Sequence, residues 1–179
     1  MNGKISVWQM VGFLFVSIAG TFLHFFFDLT GGWVGAAFIG AVNESIWEHM
    51  KLLFYPMLLF ALIQRRFWEK EQENYWCVKA TGILVGLLLI PILYYTYTGI
   101  LGVSADWFNI TIFFLAAGFA YWLEVKLFQR PFFCAGKERY AIASILLWII
   151  LFTLSTFYPP HIPFFQDPST QAYGYFQRR

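Results

Sequence analysis

The sequence predicts an all-α polytopic membrane bundle of about five transmembrane helices, with its N-terminus inside and its C-terminal tail outside. Three observations carry that expectation. Of 179 residues, 59% are hydrophobic and only 12% charged, and mean hydropathy is +0.60; soluble domains carry roughly 25% charge. Five apolar windows, at roughly 5–27, 44–64, 76–99, 105–128 and 140–158, approach or exceed the ~20 residues that cross a bilayer. The basic residues, finally, gather in alternate connections. The chain reads as a single membrane domain, 1–179, with 159–179 as an extracytoplasmic tail.

The first window follows Lys4 and is too long for the ~7–15-residue core of a signal peptide, so it reads as an uncleaved helix. On it Ser17, Gly20, Thr21, His24 and Asp28 recur every three or four residues and share one face. Asp28 also begins a turn sequence, Asp28-Leu29-Thr30-Gly31-Gly32. The apolar stretch 31–41 is too short to span; a re-entrant segment and a loop lying on the headgroups fit it equally. The second window opens with Asn43-Glu44-Ser45-Ile46-Trp47-Glu48-His49-Met50-Lys51, which at helical spacing puts Glu44, Glu48, Lys51 and Tyr55 on one stripe. Glu48 is then placed to pair with Lys51, and His49 lies about 100° around the helix. In the third window Gly82 and Gly86 read as a packing contact and Pro91 as a bend, and 94–98 as an interfacial aromatic belt. Asp106 caps the fourth, with Asn109 one turn on, and Glu124 snorkels beside Lys126.

Arg65, Arg66, Lys70 and Lys79 follow the second window, and Lys126, Arg130, Lys137 and Arg139 follow the fourth. The intervening connections hold no Lys or Arg, so the basic loops are expected in the cytoplasm; only Arg178 and Arg179 dissent. Cys77 and Cys134 fall on that reducing side, and no disulfide is expected. No basic stretch lies clear of the helices, which argues against nucleic acid as a partner.

With this topology His24, His49, His161, Asp28, Glu44, Glu48, Lys51, Asp106 and Asp167 all fall in or beyond the outer half. Charges near a bilayer centre cost roughly 2.5–3.5 kcal/mol and persist where they face one another or a wet cavity. Glu48, His49, Glu44, Lys51 and Asp28 are therefore the candidate catalytic groups. His24, Glu48, His49 and His161 are candidate metal ligands, zinc being the ion such donors suit. Pro159, Pro160, Pro163 and Pro168 forbid a regular helix in the tail, yet its aromatic residues need burial. The tail is expected either to fold back as a lid that brings His161 and Asp167 to the cluster, or to lie as a strap at the headgroups.

Three stretches carry a resemblance to a known family: His24-Phe25-Phe26-Phe27-Asp28 with Gly31, the run Asn43 to Lys51, and Pro160 to Pro168. On these the chain resembles an uncharacterised family of small bacterial multi-pass membrane proteins, a domain of unknown function. That implies a bacterial plasma membrane and no particular activity. Asn43-Glu44-Ser45-Ile46-Trp47-Glu48-His49 is also locally similar to a first-helix motif of progestin-and-adiponectin-receptor proteins, without their paired histidines.

Three function classes remain open. The first is a membrane-embedded hydrolase or transferase, metal-dependent, acting on a lipid, a lipid-linked molecule or another small ligand from the outer side. The second is an ion- or proton-coupled transporter or channel, for which the inner halves offer only Gln9, Thr81 and Ser144. The third is a non-catalytic binding or assembly subunit among membrane lipids.

Overall fold

A computed structural model describes residues 2–67, 74–130, 133–134 and 136–176. Lys70, Arg178 and Arg179 lie outside the described residues. The described chain is helical: α1 (Asn2–Leu29), a one-turn α2 (Val34–Ala37), α3 (Ile46–Phe67), α4 (Tyr75–Leu101), α5 (Asp106–Phe128) and α6 (Glu138–Phe157), followed by a 3-10 turn (Pro163–Phe165). Five of these, all but α2, are long and apolar enough to cross a membrane.

Helices α1, α3, α4 and α5 close a ring in which each touches the next, and α6 packs outside it on α4 and α3. Lipid tails offer no hydrophobic gain to helices that pack together, so close approach has to come from small residues. Ala116, Ala117 and Ala120 on α5 are fully buried. A Cβ on Gly86 of α4 would stand 2.7 Å from Leu53 and 3.3 Å from Ala120. A Cβ on Gly20 of α1 would stand 2.7 Å from the Leu52 carbonyl oxygen. That carbonyl belongs to the turn where Pro56 lacks the N–H to bond it. At this level α1 and α3 are in backbone contact.

The basic residues gather at one end of the ring, referred to below as the basic end; the opposite end holds the histidines. Three expectations about the basic end are corrected. Lys79 is not in a loop but on the first turn and a half of α4, and Glu124 does not snorkel: they are 1% and 0% exposed, with Lys79 Nζ 2.6 Å from Glu124 Oε2. Lys79 also donates to Gln9 Oε1 and sits among the rings of Phe60, Tyr75, Tyr121 and Phe128. Gly82 makes the room, since a Cβ there would fall 2.5 Å from Glu124 Oε1. An inward helix face, not depth, decided where these charges went. The third correction is a disulfide between Cys77 and Cys134, whose Cα atoms are 6.1 Å apart. Folding joins the start of α4 to the connection after α5 and to the start of α6, through Asn74 donating to the Arg130 carbonyl and Trp76 N–H donating to Glu138. Sequence separation had hidden that proximity.

At the histidine end Gly31 and Gly32, both with positive φ, turn the chain from α1 into α2. Ala36, Ala37, Ala41 and Val42 are buried there, while Trp33, Val34 and Phe38 are exposed. The tail returns over the same end. Tyr175 N–H donates to the Thr156 carbonyl, Gln166 and Tyr173 form an antiparallel bridge, and Phe165 and Tyr175 are buried.

Candidate functional site

Helix α3 begins at Ile46, not at 44, and the reason is local. Ser45 Oγ accepts from the Glu48 N–H, an N-cap bond, and the Ser45 N–H donates to Asn43. Ser-x-x-Glu is a capping signature readable from sequence, and it fixes the boundary that periodicity alone misplaced. Glu44 is therefore outside the helix and free of its 100° spacing. The predicted stripe of acids divides into two separate sites.

The first is closed. Glu48 and Lys51, 1% and 0% exposed, form an ion pair of 2.5 Å. Glu48 also accepts from Thr156 Oγ1 on α6 and from the Val42 N–H, and Lys51 Nζ donates to Thr156 Oγ1 and to the Ala37 carbonyl. This network ties α3, α6 and the α2 segment together.

The second is open. His24 from α1, Glu44 from the connection and His49 from α3 bring one donor atom each to within 4.8 Å of one another, a grouping able to hold a metal ion. His49 Nε2 lies 3.3 Å from Glu44 Oε2, and His24 Nε2 lies 3.9 Å from Glu44 Oε1. Donors at ~2.0–2.2 Å from one tetrahedral ion sit about 3.4 Å apart, so the three need only small side-chain rotations to share one. The tautomer supports this. His49 Nδ1 lies 2.9 Å from the Ser45 carbonyl and donates to it, which leaves Nε2 a lone pair aimed at a carboxylate. Lone pairs facing one another call for a cation between them, a proton or a metal, and an imidazole fixed through its other nitrogen is the usual metal-ligand arrangement.

Glu44 is held from both sides. Its carboxyl lies below the ordinary glutamate range because the His49 ring, once protonated on Nε2 as well, hydrogen-bonds it, against burial, which pushes it up. Its backbone N–H donates to Asp167 Oδ2 from the tail. Asp167 also lies below its ordinary range: burial pushes it up, but bonds from Ser169 Oγ and the N–H groups of Thr170, Ser169 and Glu44 outweigh that.

The donors stand at the mouth of a cavity of about 590 Å³ inside the ring. Its mouth is polar, with Asp106, Asn109 and Ser169 opposite the histidines, and its depth is apolar, with Leu52, Ile90 and Ile112. Gly20 lies at the floor, where α1 meets α3 and Phe113 of α5.

Of the candidates, the structure thus brings together His24, His49 and Glu44, and separately Glu48 with Lys51. Asp28 stands one turn beyond His24, close enough to act on it electrostatically. His161 is exposed, its ring 4.7 Å from that of Tyr173 and outside the three-residue group, while Asp167 does reach Glu44. No curated protein and no solved structure matches the chain. Residues 1–175, which carry the Glu48–Lys51 and Lys79–Glu124 pairs and the donor cluster, match the family of unknown function DUF6512, and the chain belongs to it.

Proposed function

We propose that the protein is a metal-dependent membrane hydrolase or transferase whose centre is His24, Glu44 and His49, acting on a lipid or lipid-linked substrate. The convergence of three donor atoms at the polar mouth of an apolar cavity carries this reading. Two histidines and one carboxylate with a free position facing a cavity is the ligand set of a catalytic zinc site, and such an ion would polarise a carbonyl or acidify a water. Glu44 and His49 keep their places through Asp167 and the Ser45 carbonyl. Asp106 is the other carboxylate lining the cavity and serves as general base. In hydrolysis it takes one proton from water, whose oxygen bonds to the carbonyl carbon. The leaving group departs with its bonding electrons and receives that proton. Glu48 and Lys51, with their polar atoms committed to one another and to Thr156, Val42 and Ala37, position the element that carries His49 and Glu44.

A transporter is favoured by one observation, the Lys79–Glu124–Gln9 group in the other half of the ring. The close contact at Gly20 separates that group from the cavity and weighs against a path. The basic end carries Arg65, Arg66, Lys126, Arg130, Lys137 and Arg139, and so supports a site facing outward from a bacterial plasma membrane. The disulfide at the same end points the other way. Six charges outweigh one bond. Gly32→Cys and Ser104→Cys in intact cells are expected to label with an impermeant reagent, and Cys77 and Cys134 to stay unlabelled even after an impermeant reductant.

Elemental analysis of purified protein tests the centre. Zinc is expected at about one per chain, and its loss in His24→Ala and Glu44→Gln with the fold retained. A wild-type chain that neither carries nor takes up zinc overturns the reading.

A further inference from the structure

The cavity is open on two sides. Its polar mouth lies under the tail, at Asp106 and Ser169, and admits water. Its second opening is lateral, between α1 and α5. Thr21 and Phe25 on α1 and Ile110 and Phe114 on α5 line the cavity and are also exposed on the outer surface of the ring; Phe25 is 53% and Ile110 59% exposed. In a chain whose long helices cross a membrane, that surface faces acyl chains, not water. Behind this rim the wall is apolar and buried, with Leu52, Ile90 and Ile112 at 3–6% exposure. The space ends at Gly20, one helical turn below His24. A ligand entering sideways therefore finds a slot for a chain, closed at its foot and crowned by the donor cluster.

We infer that the substrate is an amphiphile that enters from the outer leaflet between α1 and α5, lodging one acyl chain in the cavity with its carbonyl or carboxylate head at His24, Glu44 and His49. This rests on the metal-centre reading for the head and on the cavity alone for the chain. A water-soluble substrate would have no use for a lateral opening, and a slot of about 590 Å³ is within the ~300–1,000 Å³ of small-molecule sites. Thr21 is the gate residue: it lies on the rim, and its hydroxyl is committed to the Ser17 carbonyl within its own helix. Its position three residues before His24 puts it directly beneath the cluster.

The two halves of the inference are separable by photolabelling. The probe is palmitic acid with a diazirine in the first half of the chain, presented to the full chain in nanodiscs, with zinc and after EDTA. The expected adducts map to peptides containing Leu52, Ile90 and Ile112, are suppressed by excess unlabelled palmitate, and fall to the lipid-facing background in Thr21→Trp and Ile110→Trp. Both variants sit on the rim and leave the three donor side chains in place, and are expected to keep full zinc content, which also reports that they are folded. Adducts confined to the outward faces of α1 and α5 and unchanged by Thr21→Trp overturn the lateral slot. Adducts inside the cavity that are identical with and without zinc keep the slot and the acyl chain but remove the metal from head recognition.

Discussion

Nine consecutive residues, Asn43 to Lys51, build two polar sites of opposite character. Glu48 and Lys51 are fully buried, and their network spans α3, α6 and the backbone before α3. Glu44 and His49 lie on the other side of the same turn, Glu44 with half its side chain exposed, and bring lone pairs together at a cavity. A satisfied buried network fixes geometry, and an unsatisfied convergence at an opening is where binding free energy remains available. Proximity in sequence therefore says little about shared role. The N-cap at Ser45 takes Glu44 off the helix, and the two faces of the first helical turns then separate His49 from Glu48 and Lys51.

The largest expected effect is on the closed side. Removing one partner of a buried pair costs about 3–5 kcal/mol, so Lys51→Met and Glu48→Gln are each expected to lower thermal stability sharply and reduce recovery of monodisperse protein. The double change Lys51→Met with Glu48→Gln recovers part of this, because no uncompensated charge remains; strictly additive losses in the cycle would remove the coupling.

The basic end sharpens the contrast. Gln9 Nε2, Tyr121 OH and Glu124 Oε1 have no hydrogen-bond partner among the described residues, so the Lys79–Glu124 pair is less completely satisfied than Glu48–Lys51. Replacing both members by apolar residues, Lys79→Met with Glu124→Leu, is expected to be neutral or to stabilise by about 1–4 kcal/mol. The same treatment of Glu48 and Lys51 strands the Val42 N–H and the Ala37 carbonyl, and is expected to cost about 1–3 kcal/mol for each group left unpaired. Thermal unfolding of the two double variants in one detergent compares them directly; equal outcomes would erase the distinction.

On the open side stability should move little and binding should move greatly. His49→Ala is expected to leave the melting temperature within a few degrees while reducing zinc affinity by more than the ~10–100-fold seen when a ligand's supporting group is lost. Affinity should also fall with acidification, since a protonated imidazole has no lone pair for a metal.

The smallest effect is at the tail. Asp167→Asn weakens charge-assisted bonds from Ser169, Thr170 and Glu44, and should loosen the tail by about 1–3 kcal/mol, read as faster amide exchange over 165–175 with the helices unchanged. Its carboxyl lies below the ordinary 3.8. The contribution is therefore complete above the unfolded value and is lost as pH falls through the lower folded one, which places tail release in strong acid only. Protection that is already lost near neutral pH would contradict the seat described for Asp167.

What the sequence determined by itself is what depends on local pattern or on the bilayer. Five apolar stretches must be helices, because a membrane leaves backbone groups no other partner, and their limits agree with the expected windows to within a few residues. The Glu48–Lys51 pair was legible as well, since i,i+3 spacing on a helix is local geometry. Thr156 as their common partner was not, nor was Lys79 with Glu124, nor Cys77 with Cys134, because 108, 45 and 57 residues separate them. Helix periodicity shows which way a side chain points but not which helix stands opposite. The tail divides the same way. Its prolines and aromatics announced a non-helical segment that has to bury rings, while the choice of Asp167 over His161 as the residue that touches Glu44 came from the turn around Gly174 and Tyr175 onto the end of α6. The cavity belongs wholly to the tertiary structure: its lining comes from α1, α3, α4, α5 and the tail, and Gly20 closes it where α1 meets the Leu52 carbonyl of α3 and Phe113 of α5.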